Sequence, residues 1–321
     1  MKAWQVTELG EPQDVLRWVD VDEPEAGPGL LTLRVDAVAL NFPDVLLCRG
    51  MYQEKPPLPF TPGLEVCGTV LDGPRAGERV IGGPGLPRGG LAERVVLAET
   101  SALPVPDAMP AAKAASMLIT YQTGYVGLHR RGQLQAGETL LVHAGAGGVG
   151  TAAIQLGKAA GARVIATAGG PEKTQVCKDL GADVVIDYNA EDFVAVVKDV
   201  TEGRGADVIY DSVGGDVFDK SRKCIAFEGR LVVVGFTSGR IPEAPANHAL
   251  VKNYSVVGLH WGLYKKKDPA VIGQTHEELV GLVTSGAIDP LIGQVLPLDQ
   301  APQALAALAD RGTVGKVVLV P

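Results

Sequence analysis

Gly145, Gly147 and Gly150 stand at the spacing G-x-G-x-x-G within VHAGAGGVG, residues 142–150. Residues without side chains at that spacing can bring backbone N–H groups against a phosphate, provided that a strand precedes the turn and a helix follows it. Both are predicted here. TLLVHA is apolar and strand-like, and Val149 opens the Ala-rich amphipathic stretch VGTAAIQLGKAAG. In this reading Gly145 makes the sharp turn, Gly147 admits a pyrophosphate and Gly150 lets the helix lie close on the strand. The backbone of Ala146, Gly147, Gly148 and Val149 would then face the phosphates at the positive end of the helix dipole.

The end of the second strand decides which dinucleotide fits. An NAD site places Asp or Glu about 20 residues beyond the glycine turn, to hold the ribose 2′-hydroxyl. In RVIATAGGPEK that place is taken by Gly169, and Lys173 follows at the start of the next predicted helix. The missing acid and the added cation suit a 2′-phosphate, with Lys173 as a point charge. NADPH is therefore expected over NADH.

These residues need a scaffold. A chain of 321 residues is long for one core, so two domains with a cleft are expected. Residues 1–118 read as short β-segments broken by Pro and Gly, among them LLTLRVDAVAL, EVCGTVL and AERVVLA. That texture predicts a mainly antiparallel lobe. From Thr139 apolar strands alternate with helical stretches, in order TLLVHA, RVIATA, DVVIDY, DVIYDS, GRLVVVG and YSVVGLH. Such alternation predicts a doubly wound parallel α/β sheet over residues 119–260. After Trp261 two helices and the strand KVVLV follow, and residues 261–321 are expected to return and complete the first lobe.

Composition excludes several partners. The net charge of −8 argues against nucleic acid, which needs clustered Lys and Arg, and the run Lys265–Lys267 reads as a solvated loop. No apolar stretch approaches the ~20 residues of a membrane span, and the amino terminus lacks a signal-peptide core. Cys48, Cys67, Cys177 and Cys224 lie far apart among apolar neighbours, as buried thiols of a reducing cytoplasm would. G-x-S-x-G and G-x-x-x-x-G-K-[ST] are absent, which sets aside triad hydrolases and P-loop enzymes. The last parallel strand, YSVVGLH, would lie at a sheet edge, where pairing with a second copy would give a homodimer.

Taken together, Ala144–Gly150, LNFPDVLLCRGMY (40–52), YDSVGG (210–215) and the closing GKVVLVP resemble the zeta-crystallin-like, zinc-independent quinone oxidoreductases of the medium-chain dehydrogenase/reductase superfamily. The resemblance covers essentially the whole chain and implies a GroES-like lobe interrupted by a Rossmann domain. Where zinc-dependent relatives carry Cys and the His of G-H-E, this chain carries Asn41 and Leu64, and no four-cysteine lobe or H-E-x-x-H is present. The resemblance implies no metal, and hydride delivery from NADPH to a quinone or enone that spreads the charge itself. It places Asn41 and Tyr52 by the nicotinamide as hydrogen-bonding groups and Thr123 against nicotinamide or phosphate. Tyr188 falls at the adenosine end and Arg311 at the 2′-phosphate. Ser212 and the Gly235–Phe236–Ser238 loop line the nicotinamide pocket, and His260 and Trp261 are candidates for substrate contact. Two other readings stay open: an enoyl-thioester or alkenal reductase on the same scaffold, and a non-catalytic, crystallin-like NADPH-binding protein.

Overall fold

The computed structural model describes residues 1–321 and divides them into two compact units, Met1–Ile119 with Pro290–Pro321, and Thr120–Asp289. The chain opens with β1 (Lys2–Val6), β2 (Leu16–Asp20), β3 (Leu30–Ala39), β4 (Val66–Val70), β5 (Arg79–Gly82), β6 (Arg94–Ala98) and β7 (Leu103–Pro104). The second unit carries β8 (Thr139–Val142), β9 (Arg163–Ala168), β10 (Val184–Asp187), β11 (Ala206–Asp211), β12 (Ile225–Val233) and β13 (Ser255–Gly258). Back in the first unit the chain adds β14 (Ile292–Pro297) and β15 (Lys316–Val320).

The first unit is organised on β3. This strand pairs antiparallel with β4, β6 and β15, the sheet runs on through β5 to β7, and only β14 joins in parallel, beside β15. Leu33, Val38, Leu47, Val66 and Leu319 are buried together in its core. Pairing of Leu319 with Val38 and of Val318 with Ala39 brings the head of β15 to the segment where β3 ends. Lys316 reaches Asn41 for that reason. A two-stranded β1–β2 ribbon is closed by Trp4 opposite Trp18, ring centroids 5.2 Å apart.

The second unit is a six-stranded sheet of order β10-β9-β8-β11-β12-β13, parallel throughout. All four residues of β8 are buried, because helices cover both faces and leave no polar side to alternate with. Strand order reverses between β8 and β11, so the ends of these strands form the switch point at which such sheets bind ligands. The expected doubly wound sheet is present.

The return to the first unit comes later than the texture suggested. Residues 261–289 belong to the second unit, and the crossing is at Pro290, not Trp261. Helix Ala270–Thr284 buries Val271, Thr275, His276 and Leu279 and packs on helix Gln122–Tyr125 of the same unit. Trp261 donates its indole N–H to Gln122 Oε1 at 3.2 Å. The apolar face of that helix could have covered either lobe, and sequence texture does not say which. Lys265–Lys267, expected in a loop, forms a helical turn with Tyr264.

Both ends of the second unit meet one side chain. Gln155 donates from Nε2 to Tyr121 Oη at 3.0 Å and to the Asp289 carbonyl at 2.9 Å, and its Oε1 accepts the Asp289 N–H at 2.5 Å.

Candidate active site

In the second unit β8 runs into His143 and then turns. The left-handed residue of the turn is Ala144 (φ 52°), so the sharp bend expected of Gly145 falls one position earlier. Gly145 is needed for closeness instead, since a methyl there would lie 2.8 Å from Cys177 Sγ. At Gly150 a methyl would collide with the Ala144 carbonyl oxygen, so the helix can approach the turn only without a side chain. Helix Gly148–Ala159 starts from Gly147, and no side chain caps its first turn. Thr151 is the first residue to bond back, to the Gly147 carbonyl at 2.8 Å, which leaves the N–H groups of Gly148, Val149 and Gly150 without helical partners. Ala146 is buried in the turn. The result is a backbone cradle with a positive dipole end, suited to an anion of phosphate size.

One strand over, β9 ends at Gly169. The exposed ring of Tyr188 lies across it, and a methyl at 169 would come within 2.5 Å of the phenol oxygen. Gly169 and Tyr188 thus form one flat surface. An acid that sequence reading passed over lies here too: Asp187, at the end of β10, accepts the N–H groups of Gly170 and Asn189, both at 3.0 Å. Those bonds hold its carboxyl below the ordinary value. Lys173 sits half-buried in the first turn of helix Pro171–Asp179, beside the exposed Glu172.

At the switch point the loops after β11 and β12 are tied together. The Ser212 carbonyl accepts from Thr237 N and Oγ1, each at 3.1 Å, and Ser238 N donates to Val213 O at 3.0 Å. Ser212 is buried while Phe236 is 38% exposed, so Ser212, Gly235, Phe236 and Ser238 share a patch. Asp211 caps the loop, accepting from Val213 N at 2.8 Å and Gly214 N at 3.0 Å. Thr123 is buried within helix Gln122–Tyr125. His260 is exposed, whereas Trp261 is a core residue.

In the first unit Asn41 starts helix Phe42–Cys48. Asp44 accepts the Asn41 N–H at 2.9 Å and the Gly63 N–H at 2.9 Å. Burial drives the Asp44 carboxyl up to about 6 in spite of those two bonds. The Asn41 amide is enclosed by charge: Nδ2 donates to Glu65 Oε1 at 2.8 Å and Ala39 O at 3.1 Å, and Oδ1 accepts from Lys316 Nζ at 2.7 Å. Lys316 also pairs with Glu65 at 2.8 Å, both side chains buried. Both amide hydrogens are therefore committed to partners within the first unit. Tyr52 is half-buried against the core, and burial raises its phenol above the ordinary value. No group of three His, Cys, Asp or Glu side chains capable of holding a metal is found.

The alcohol dehydrogenase GroES-like domain matches residues 27–107 of this chain, and the zinc-binding dehydrogenase family matches residues 148–275. A quinone oxidoreductase-like protein 2 homolog of Nematostella vectensis is 39% identical over 99% of this chain and 88% of its own length. The quinone oxidoreductase of Thermus thermophilus, solved alone and in complex with NADPH, superposes with a TM-score of 0.88 at 36% identity, covering 100% of both chains. This chain belongs to the quinone oxidoreductase branch of the medium-chain dehydrogenase/reductase superfamily. Escherichia coli quinone oxidoreductase complexed with NADPH, at 30% identity over 100% of both chains, gives a TM-score of 0.92.

Within this quinone oxidoreductase fold, the residues predicted from sequence gather in separate places. The turn 146–149, the Gly169–Tyr188 surface with Lys173, Thr123 and the Ser212/Gly235–Ser238 patch belong to the second unit. Asn41, Tyr52 and Arg311 belong to the first, Arg311 being exposed in a left-handed conformation (φ 58°) just past helix Ala301–Ala309. Glu65, Asp44 and Lys316 were missed as members of the Asn41 cluster. For Glu65 and Lys316 the one signal was a charge standing next to an apolar strand, in LEVCGTV and KVVLV.

Proposed function

We propose that this protein is an NADPH-dependent reductase of quinones and other conjugated carbonyl acceptors that works without a metal. The observation that carries the reading is the side-chain-free cradle of Gly148–Gly150 N–H groups, in register with a ribose position where Gly169 replaces an acid. The cradle binds the pyrophosphate, and Lys173 meets the 2′-phosphate. Crystallised relatives that carry NADPH support this choice. NADPH bound there would supply a hydride.

The chain's own part is to orient and to donate. Asn41 and Leu64 stand at the family's zinc-ligand positions, and an amide with an aliphatic side chain offers no donor set for that ion. Tyr52, a phenol that burial moves further above its ordinary value, is the group assigned to hydrogen-bond the acceptor oxygen as charge develops. Thr123, Ser212 and the Gly235–Ser238 loop orient the nicotinamide. Reduction of alkenals or enoyl thioesters is a second reading, favoured by the lysine-rich turn Tyr264–Lys267, against which Arg130 lies over the Tyr264 ring at 5.5 Å while pairing with Asp268 at 2.9 Å. Such a cluster suits a phosphorylated acyl carrier.

The test is direct. Pure protein mixed with NADPH and 1,4-benzoquinone should lose absorbance at 340 nm, and NADH should serve less well. Unchanged absorbance with every quinone and alkenal would favour a binding role instead. A homodimer built through β13 and a cytoplasmic location, suggested by four free buried cysteines, complete the proposal. No helix is long and apolar enough to cross a membrane.

A further inference from the structure

The cofactor cradle does not explain the buried charges of the first unit. Lys316 and Glu65 side chains are 3% and 0% exposed, and taking both out of water is costly unless each lone pair and proton is used. They are used. Lys316 Nζ donates to Leu40 O at 2.8 Å, Asn41 Oδ1 at 2.7 Å and Glu65 Oε1 at 2.8 Å, which exhausts an ammonium. Glu65 Oε2 accepts the Ile119 N–H at 2.7 Å.

An apolar core could fill this volume at less electrostatic cost, so the arrangement calls for a different account. The two ends of a carboxamide have nearly the same shape, and packing alone does not choose between them. Charge does. An ammonium can only donate and an ionised carboxylate can only accept. Lys316 on one side and Glu65 on the other therefore admit a single orientation of Asn41, with oxygen toward Lys316 and nitrogen toward Glu65. Both amide hydrogens are then consumed, by Glu65 and Ala39, while Oδ1 keeps a second lone pair.

We infer that Lys316 is a positioning residue for the reaction: paired with Glu65, it fixes the Asn41 carboxamide so that Asn41 meets the cofactor or acceptor only as a hydrogen-bond acceptor. Its partner is a donor group, a hydroxyl or N–H, of the bound ligand. Donation to the acceptor oxygen is left to Tyr52. This inference rests on the reading of Asn41 as part of the reaction centre.

The test separates charge from folding. Glu65→Gln combined with Lys316→Met removes both charges with little change of volume, yet a glutamine amide can donate or accept, so Asn41 is no longer held one way. The double variant should melt within a few degrees of the wild type, whereas kcat for NADPH oxidation with benzoquinone should fall about tenfold and KM for benzoquinone change less than threefold. Wild-type kcat in a double variant that keeps its Tm would show that the pair does not position Asn41, and would overturn the inference. Should the double variant not fold, Lys316→Arg, still a donor-only cation, is compared with Lys316→Met: kcat should be at least about fivefold higher in the arginine variant, and equal values overturn it. A wild type inactive with every acceptor would overturn the underlying reading and this inference together; an active wild type with an equally active double variant overturns the inference alone.

Discussion

Replacing Lys173 by Ala removes a cation that only the phosphorylated coenzyme can use. The KM for NADPH should rise about tenfold while that for NADH changes less than twofold, as steady-state kinetics with both coenzymes would show. Equal changes would return Lys173 to an ordinary helix residue. Tyr52→Phe takes away one hydroxyl and leaves the ring in the core, so kcat should fall about tenfold with NADPH Kd unchanged. Wild-type activity in that variant would leave Tyr52 a packing side chain. Gly169 and Lys173 were legible in the sequence because their meaning depends on distance from a motif along the chain. Lys316 was not, because its partner Asn41 lies 275 residues away and is reached only when β15 pairs with β3.

Elements make their own demands. Gly150→Ala would drive a methyl into the Ala144 carbonyl and pry the helix off the turn, at a cost of about 1–3 kcal/mol and with loss of NADPH binding. Calorimetry and a fluorescence titration would measure the two effects, and retained binding would show that the turn tolerates displacement. Behind the same turn His143 is enclosed between Thr167 Oγ1 at 3.0 Å and Ser221 Oγ at 2.8 Å. Ser221 gives its own proton to the Val217 carbonyl, so it accepts from Nε2–H and the imidazole stays neutral. Burial lowers His143 to about 4 from 6.5. As pH falls through 6.5 the unfolded chain takes up a proton that the folded chain refuses until about 4, so stability declines across that window, by up to about 3 kcal/mol. Asp44 acts in the opposite sense, keeping a proton when folded up to about 6, so its contribution declines as pH rises from 3.8. His143→Gln should flatten the acid limb of urea-melt stability against pH, and an unchanged slope would remove His143 from the account. Strand, turn and helix were readable because their signals are local and periodic. The left-handed Ala144 was not, since an alanine carries no mark of a positive φ.

For the whole molecule, β13 ends the parallel sheet with Val256 38% exposed, and helix Ala246–Lys252, which leads into it, shows Leu250 and Val251 at 76% and 75% exposure. An unpaired apolar edge of this kind is expected to meet its copy. Sedimentation velocity should give a dimer for the wild type and a monomer for Val256→Asp; a monomeric wild type at micromolar concentration would remove the interface. The division into two lobes was legible from the change in texture near Thr139, but the second boundary was misplaced by a helix whose apolar face suits either lobe.

Gln155 gives that boundary a wider meaning. One amide grips Tyr121 and both backbone groups of Asp289, so the beginning and end of the inserted unit lie within a side chain's reach of each other. A module whose two ends coincide can be spliced into a host at one point without stretching either partner, or lifted out again. Residues 120–289 expressed alone should accordingly fold and still take up the coenzyme, and a short linker from Ile119 to Pro290 should suffice to close the host.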